Sequence, residues 1–167
     1  SDIGTYSSNR FQLINDEKFN FILAVLTYFK DQFQCGFSLT INSEFSDNLG
    51  LGSSAAVTVA VIAVLYNWLN DTRIQDFSLY QLARNLIRKV QGCGSGADVA
   101  ASVYGGVIFF QQKREPVKLD ITELPIVLIY SGKKRKTKDV IKQVMLDRQA
   151  NVTCYDNYFQ EINQLVL

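Results

Sequence analysis

Histidine is absent from the 167 residues. Without an imidazole, Ser-His-Asp and Cys-His catalysis are excluded, and with them the usual zinc enzymes. Cysteine is sparse: Cys35, Cys93 and Cys154 are odd in number and far apart, which suits reduced thiols of a cytosolic protein better than a disulfide frame or a zinc site. Neither sign of charge is in surplus, since seventeen basic residues meet sixteen acidic ones for a net charge of +1. No overall field therefore draws the chain to nucleic acid or to an anionic membrane, and any charge effect is local. The N-terminus lacks the basic, apolar, small-residue order of a signal peptide. The longest apolar run, 57–69, is interrupted by Tyr66, Asn67 and Trp68 and reads as too short to span a bilayer.

What is present is enough apolar residue for a core. At 47% hydrophobic and 20% charged, the chain suits one compact body, or one domain with part of another. Residues 1–10 are polar, rich in serine and begin without methionine, which predicts a piece of something longer.

The chain is organised around Asn48, Leu49, Gly50, Leu51, Gly52, Ser53, Ser54 and Ala55, a glycine-serine loop running straight into the apolar segment. Gly50 and Gly52 allow a tight turn and close approach to a ligand, and Ser53 and Ser54 are candidate caps of the following helix. Free amides in that first turn and the positive end of the dipole would suit phosphate, although many helices begin after Gly-Ser with no ligand. The alternating glycines and the apolar, hence buried, helix behind them favour the phosphate reading. No lysine follows the second glycine as the Walker loop requires.

Upstream, Phe19, Ile22, Leu23, Leu26, Phe29 and Phe33 recur at helical spacing and predict a helix over 16–33, capped by Asn15 or Asp16. Alternation over 37–42 predicts a strand. Downstream, Ser78 is expected to cap an amphipathic helix that Gly92 stops. A second glycine-rich stretch, Gly92 to Gly96, then enters a short helical run carrying Asp98. Gly92, Gly94 and Ala97 mimic a dinucleotide fingerprint, but that motif must follow a strand and this one follows a helix. A carboxylate in a first helical turn is commonly a dipole partner; if the two loops converge, Asp98 could instead accept a proton from a substrate hydroxyl. Residues 107–110 predict a strand, 111–116 a linker and 126–130 another strand. The basic cluster over 133–138 is a solvated loop or an anion site beside a helix capped by Thr137; without interleaved aromatics, a nucleic-acid reading is weaker. A last helical period runs to the end of the chain.

Three stretches together resemble the GHMP kinases, the superfamily named for galactokinase, homoserine kinase, mevalonate kinase and phosphomevalonate kinase. Leu49-Gly50-Leu51-Gly52-Ser53-Ser54-Ala55-Ala56 is similar to its phosphate-binding signature. Gly94-Ser95-Gly96-Ala97-Asp98-Val99-Ala100, with Val103-Tyr104-Gly105-Gly106, is similar to its catalytic-aspartate segment in the mevalonate and phosphomevalonate branch. Tyr130-Ser131-Gly132-Lys133 to Thr137 resembles the turn that opens the second domain on the substrate side.

The resemblance implies an α+β fold. Residues 1–115 would form a partial N-terminal domain like domain 2 of ribosomal protein S5, lacking its first strands, and 116–167 the start of a ferredoxin-like second domain. It implies a cytoplasmic kinase that moves the γ-phosphate of ATP to mevalonate or phosphomevalonate in isoprenoid precursor synthesis, with no nucleic-acid or membrane partner and room for a homodimer. By the same resemblance, Asn48 to Ala55 would hold the ATP phosphates, Ser54 would ligate Mg2+ and Asp98 would act on the substrate hydroxyl. Gly94, Ser95, Gly96, Lys133 and Thr137 would line the substrate side. The chain departs from the family where it has Phe45-Ser46-Asp47-Asn48-Leu49 in place of a proline-containing approach. Asn85, Ile87 and Arg88 stand where a glutamate is common. The N-terminal lysine strand and the C-terminal glycine motif are missing, so this stretch by itself is expected to be weakly active or inactive. The alternative is a truncated, non-catalytic nucleotide-phosphate-binding module.

Overall fold

The computed structural model describes residues 4–9, 12–44, 49–121, 123–130, 132 and 137–166. They fall into two units, Ser1–Gly132 and Lys133–Leu167. The elements are mixed helix with one small antiparallel sheet.

In the first unit the central element is α2, Ser53–Asn70, which packs against α1 (Asn20–Phe29), α3 (Asp76–Gln91) and α4 (Ala97–Tyr104). Its 18 residues run through Tyr66, Asn67 and Trp68 without a break, so it is long and apolar enough to cross a membrane by length and composition, contrary to the sequence expectation. Packing gives it another role. Ala55, Thr58, Val59, Val61, Ile62 and Leu65 are buried, and they join Val25, Phe29, Leu79, Ala83, Leu86 and Val99 in one core. The helix was expected to be buried on nearly every face, yet Val64 is 56% and Trp68 47% exposed. The three helices packed on it leave a stripe through Ala60, Val64, Asn67 and Trp68 open.

Ile62 is fully enclosed in this core. Ile62→Ala is therefore expected to lower unfolding free energy by about 2 to 5 kcal/mol through lost burial and a residual cavity. Val64→Ala, on the open side, is expected to stay within about 0.5 kcal/mol. Urea denaturation of the two variants checks the contrast.

Helix boundaries follow local chemistry. The side chain of Asp16 accepts a hydrogen bond from the Lys18 amide at 2.9 Å, and its carbonyl accepts one from the Phe19 amide at 3.1 Å. That turn occupies the chain ahead of α1, which starts at Asn20 rather than 16 and passes into a 3-10 turn over Lys30–Gln32. Ser78 lies inside α3, whose N-cap is Gln75. The buried Ile74 and the Arg73–Asp76 pair, at 3.0 Å, start that helix earlier than expected. Gly92 ends it in a left-handed conformation, its amide bonded to the Arg88 carbonyl at 2.8 Å, as the sequence suggests.

After α4 the chain forms a hairpin of β1 (Val107–Phe109) and β2 (Val117–Leu119), with Val107 opposite Leu119 and Phe109 opposite Val117. The 111–116 stretch, expected to be a linker, joins these two strands. Neither 37–42 nor 126–130 forms a strand. A strand needs a neighbour to take its backbone hydrogen bonds, and among the described residues the only ladder is β1 with β2. Val127, Leu128 and Ile129 accordingly stand exposed. The second unit consists of α5 (Thr137–Ala150) and α6 (Val152–Val166), tied by Arg148 donating from Nε and Nη2 to Asp156 Oδ1 at 3.1 and 2.6 Å.

Candidate active site

Two glycines set the site. Gly52 is the N-cap of α2 with φ 75° and ψ 25°, and Gly96 is the N-cap of α4 with φ 92° and ψ 11°. Both conformations are left-handed and cost any residue with a Cβ. Neither helix has a side-chain cap, which corrects the expectation for Ser53 and Ser54. The physical reason is that Ser53 is already helical, so its hydroxyl is past the capping position. The first backbone bond of α2 runs from the Ala56 amide to the Gly52 carbonyl at 3.0 Å. The amides of Ser53, Ser54 and Ala55 thus have no acceptor within the helix.

The helix behind this turn is internally secured. Thr58, buried, donates its hydroxyl to the Ser54 carbonyl at 2.7 Å. Gly50 also has a positive φ, 76°, while Leu49 and Leu51 are exposed.

The α4 loop comes to the same place. A Cβ built on Gly52 would lie 3.7 Å from the Cβ of Asp98. Asp98 is exposed and in the first turn of α4. Its Oδ1 accepts a hydrogen bond from the Val99 amide at 3.0 Å, and Ser102 donates to its carbonyl at 2.8 Å. One carboxylate oxygen is thereby oriented, and the other makes no hydrogen bond to a described residue.

Ser95 Oγ accepts from the Ala97 amide at 3.3 Å, and Gly96 is buried under Arg84. Arg84 donates from Nε to the Ser95 carbonyl at 3.2 Å. Nothing local in the sequence singles out Arg84, because its partner is eleven residues away across a loop. At the other end of α4, burial and then the carboxylate of Glu115 push the Tyr104 hydroxyl above the usual tyrosine range. It remains a donor to Glu115 Oε1, at 3.4 Å.

The remaining expected residues are Asn48, Lys133 and Thr137. Asn48 and Lys133 lie outside the described residues. Thr137 is the first residue of α5, in the second unit, and its side chain also lies outside them. A concave patch lined by Val64, Asn67, Arg73 and Asp76 lies towards the other end of α2. Ten or more residues at 1.5 Å each separate it from Ser53, so it is no part of the glycine turn before α2.

The donors present suit a hard cation shared with phosphate. Ser54 and Asp98 offer oxygen only, and no cluster of three or more metal-ligating side chains occurs among the described residues. Magnesium is commonly bound by one or two carboxylates with phosphate oxygens and water, and needs no all-protein cage.

Residues 20–106, which hold both loops, match the family model described as the GHMP kinases N terminal domain. The chain belongs to the GHMP kinase family. Curated GHMP relatives include the mevalonate kinase of Pyrococcus abyssi, 36% identical over 109 residues that make up 65% of this chain and 32% of that protein. The mevalonate kinase of Thermococcus sibiricus is 32% identical over 133 residues, 80% of this chain and 39% of that protein. That of Saccharolobus solfataricus is 26% identical over 160 residues, 94% of this chain and 50% of that protein. The chain thus spans about a third to a half of the length of these kinases. No solved structure matches it.

Proposed function

We propose that this chain is the central part of an ATP-dependent small-molecule kinase whose acceptor is mevalonate or phosphomevalonate, acting in isoprenoid precursor synthesis. The observation that carries the reading is the approach of the Asp98 Cβ to Gly52, which sets a residue bearing a carboxylate beside a turn whose amides have no partner in the helix. In this reading residues 1–115 are the ATP-binding domain, of the kind seen in domain 2 of ribosomal protein S5, and 116–167 begin a ferredoxin-like domain. The kinase is cytoplasmic in this reading, with a homodimer allowed by the family resemblance alone.

The amides from Gly50 to Ala55 would hold phosphate oxygens, with Asn48 and Leu49 leading the chain in, and Ser54 Oγ would be a ligand for Mg2+. Bound there, ATP with Mg2+ supplies the phosphoryl group and neutralises its charge. Asp98 orients the acceptor hydroxyl and takes its proton as the oxygen becomes a nucleophile. Gly94, Ser95 and Gly96 keep the backbone close to the acceptor; Lys133 and Thr137 are assigned to the substrate by the family resemblance alone.

The test is ADP release by the full-length protein encoded around this chain, with mevalonate and phosphomevalonate compared side by side. Release with one acceptor above the acceptor-free background is expected. Absence of release with both overturns the reading. Nucleotide binding without release would support a non-catalytic phosphate-binding module instead.

A further inference from the structure

The stretch between α3 and α4 has positive φ at Gly92 (77°), Gly94 (129°) and Gly96 (92°). Such a chain has many accessible conformations and loses more freedom on ordering than any other. Yet Asp98, two residues beyond it, is held at a defined distance from Gly52. Burial of Val99 and Ala100 holds α4 against the core, and a hold on the glycine stretch ahead of it would set where that helix begins.

Among the described residues, Arg84 is the side chain that reaches in from another element to hydrogen-bond this loop. It stands on α3 beside the buried Ala83, Leu86 and Ile87, so its base is fixed. Its stem lies on the bare face of Gly96, where an added Cβ would be 2.9 Å from Cδ and 3.1 Å from Nε. Its Nε donates to the Ser95 carbonyl at 3.2 Å. A guanidinium loses less freedom per hydrogen bond than a flexible ammonium, and a charged donor makes the stronger bond.

We propose that Arg84 is the positioning residue of the aspartate loop, pinning Ser95 and Gly96 so that α4 begins where Asp98 faces Gly52. The proposal rests on the kinase reading for its effect on turnover, but its effect on the loop is independent of it. Displacing a reacting group by about 1 Å can cost about 10²-fold in rate. Arg84 acts through Asp98 and not on the phosphate, so nucleotide affinity is spared.

The experiment compares Arg84→Ala and Arg84→Gln with the parent, all in the full-length protein. Glutamine puts an amide nitrogen at the same number of bonds from Cα as Nε, and so keeps the donor while removing the charge. For Arg84→Ala, kcat is expected to fall about 10- to 100-fold with KM for ATP within about twofold. Amide hydrogen exchange at residues 93–98 is expected to rise about tenfold or more as the loop opens. Arg84→Gln is expected to bring both readouts back to within about threefold of the parent.

Parental exchange and turnover in Arg84→Ala would overturn the proposal. So would a glutamine variant as slow as alanine with its loss in KM for the acceptor, because that pattern belongs to a charge touching substrate. If the parent releases no ADP, the kinase reading fails, and the exchange comparison alone still decides whether Arg84 orders the loop.

Discussion

Asp98→Asn in the full-length protein is expected to lower turnover by about 10²- to 10⁴-fold, or about 3 to 5 kcal/mol of barrier, with nucleotide affinity kept within about twofold. The substitution changes almost nothing else. Asparagine has the same shape, and its amide oxygen can still accept from the Val99 amide as Oδ1 does now at 3.0 Å. The Ser102 bond goes to the backbone carbonyl and is untouched. What is lost is the ability to take a proton, together with one negative charge in the first turn of α4. Because that ability matters as the acceptor oxygen attacks, kcat and kcat/KM are expected to fall together. Titration of ATP with a fluorescent analogue and an ADP-release assay separate the two quantities. Unchanged turnover would remove Asp98 from the mechanism, whatever its distance from Gly52.

The parts of this site legible in the sequence were those set by neighbouring residues. Alternating glycines before an apolar run announced the turn at Gly50 and Gly52, and the left-handed conformations there are what only glycine adopts at low cost. The stop at Gly92 was legible for the same reason. Where the outcome depended on distant partners, local pattern misled. Residues 37–42 alternate as a strand should, but alternation states a preference for one face and supplies no neighbouring backbone. The apolar run 126–130 failed likewise, whereas 107–109 succeeded because Val117–Leu119 returns to pair with it. Arg84 was invisible, since its partner is a carbonyl whose position depends on the fold of three glycines. Ser53 and Ser78 show a related limit: a residue suited to capping caps only if the helix starts immediately after it.

Gly52→Ala is expected to weaken nucleotide binding by about 10- to 100-fold while costing only about 1 to 2 kcal/mol of stability. Two effects have to be separated. The first is strain: at φ 75° and ψ 25° an alanine occupies the left-handed region, where its Cβ crowds the following carbonyl. The second is space. The new methyl would stand 3.7 Å from the Asp98 Cβ, an ordinary contact that the protein itself accommodates without moving. In the kinase reading, however, phosphate would come close to the backbone at this turn. Gly92→Ala isolates the first effect, because Gly92 has nearly the same φ, 77°, with open space around its absent Cβ. The two variants are expected to melt at similar temperatures, both below the parent, and to differ in ATP affinity measured by calorimetry. If Gly52→Ala bound ATP as tightly as Gly92→Ala, the turn before α2 would have no phosphate pressed against it, and its amides would be exposed for another reason.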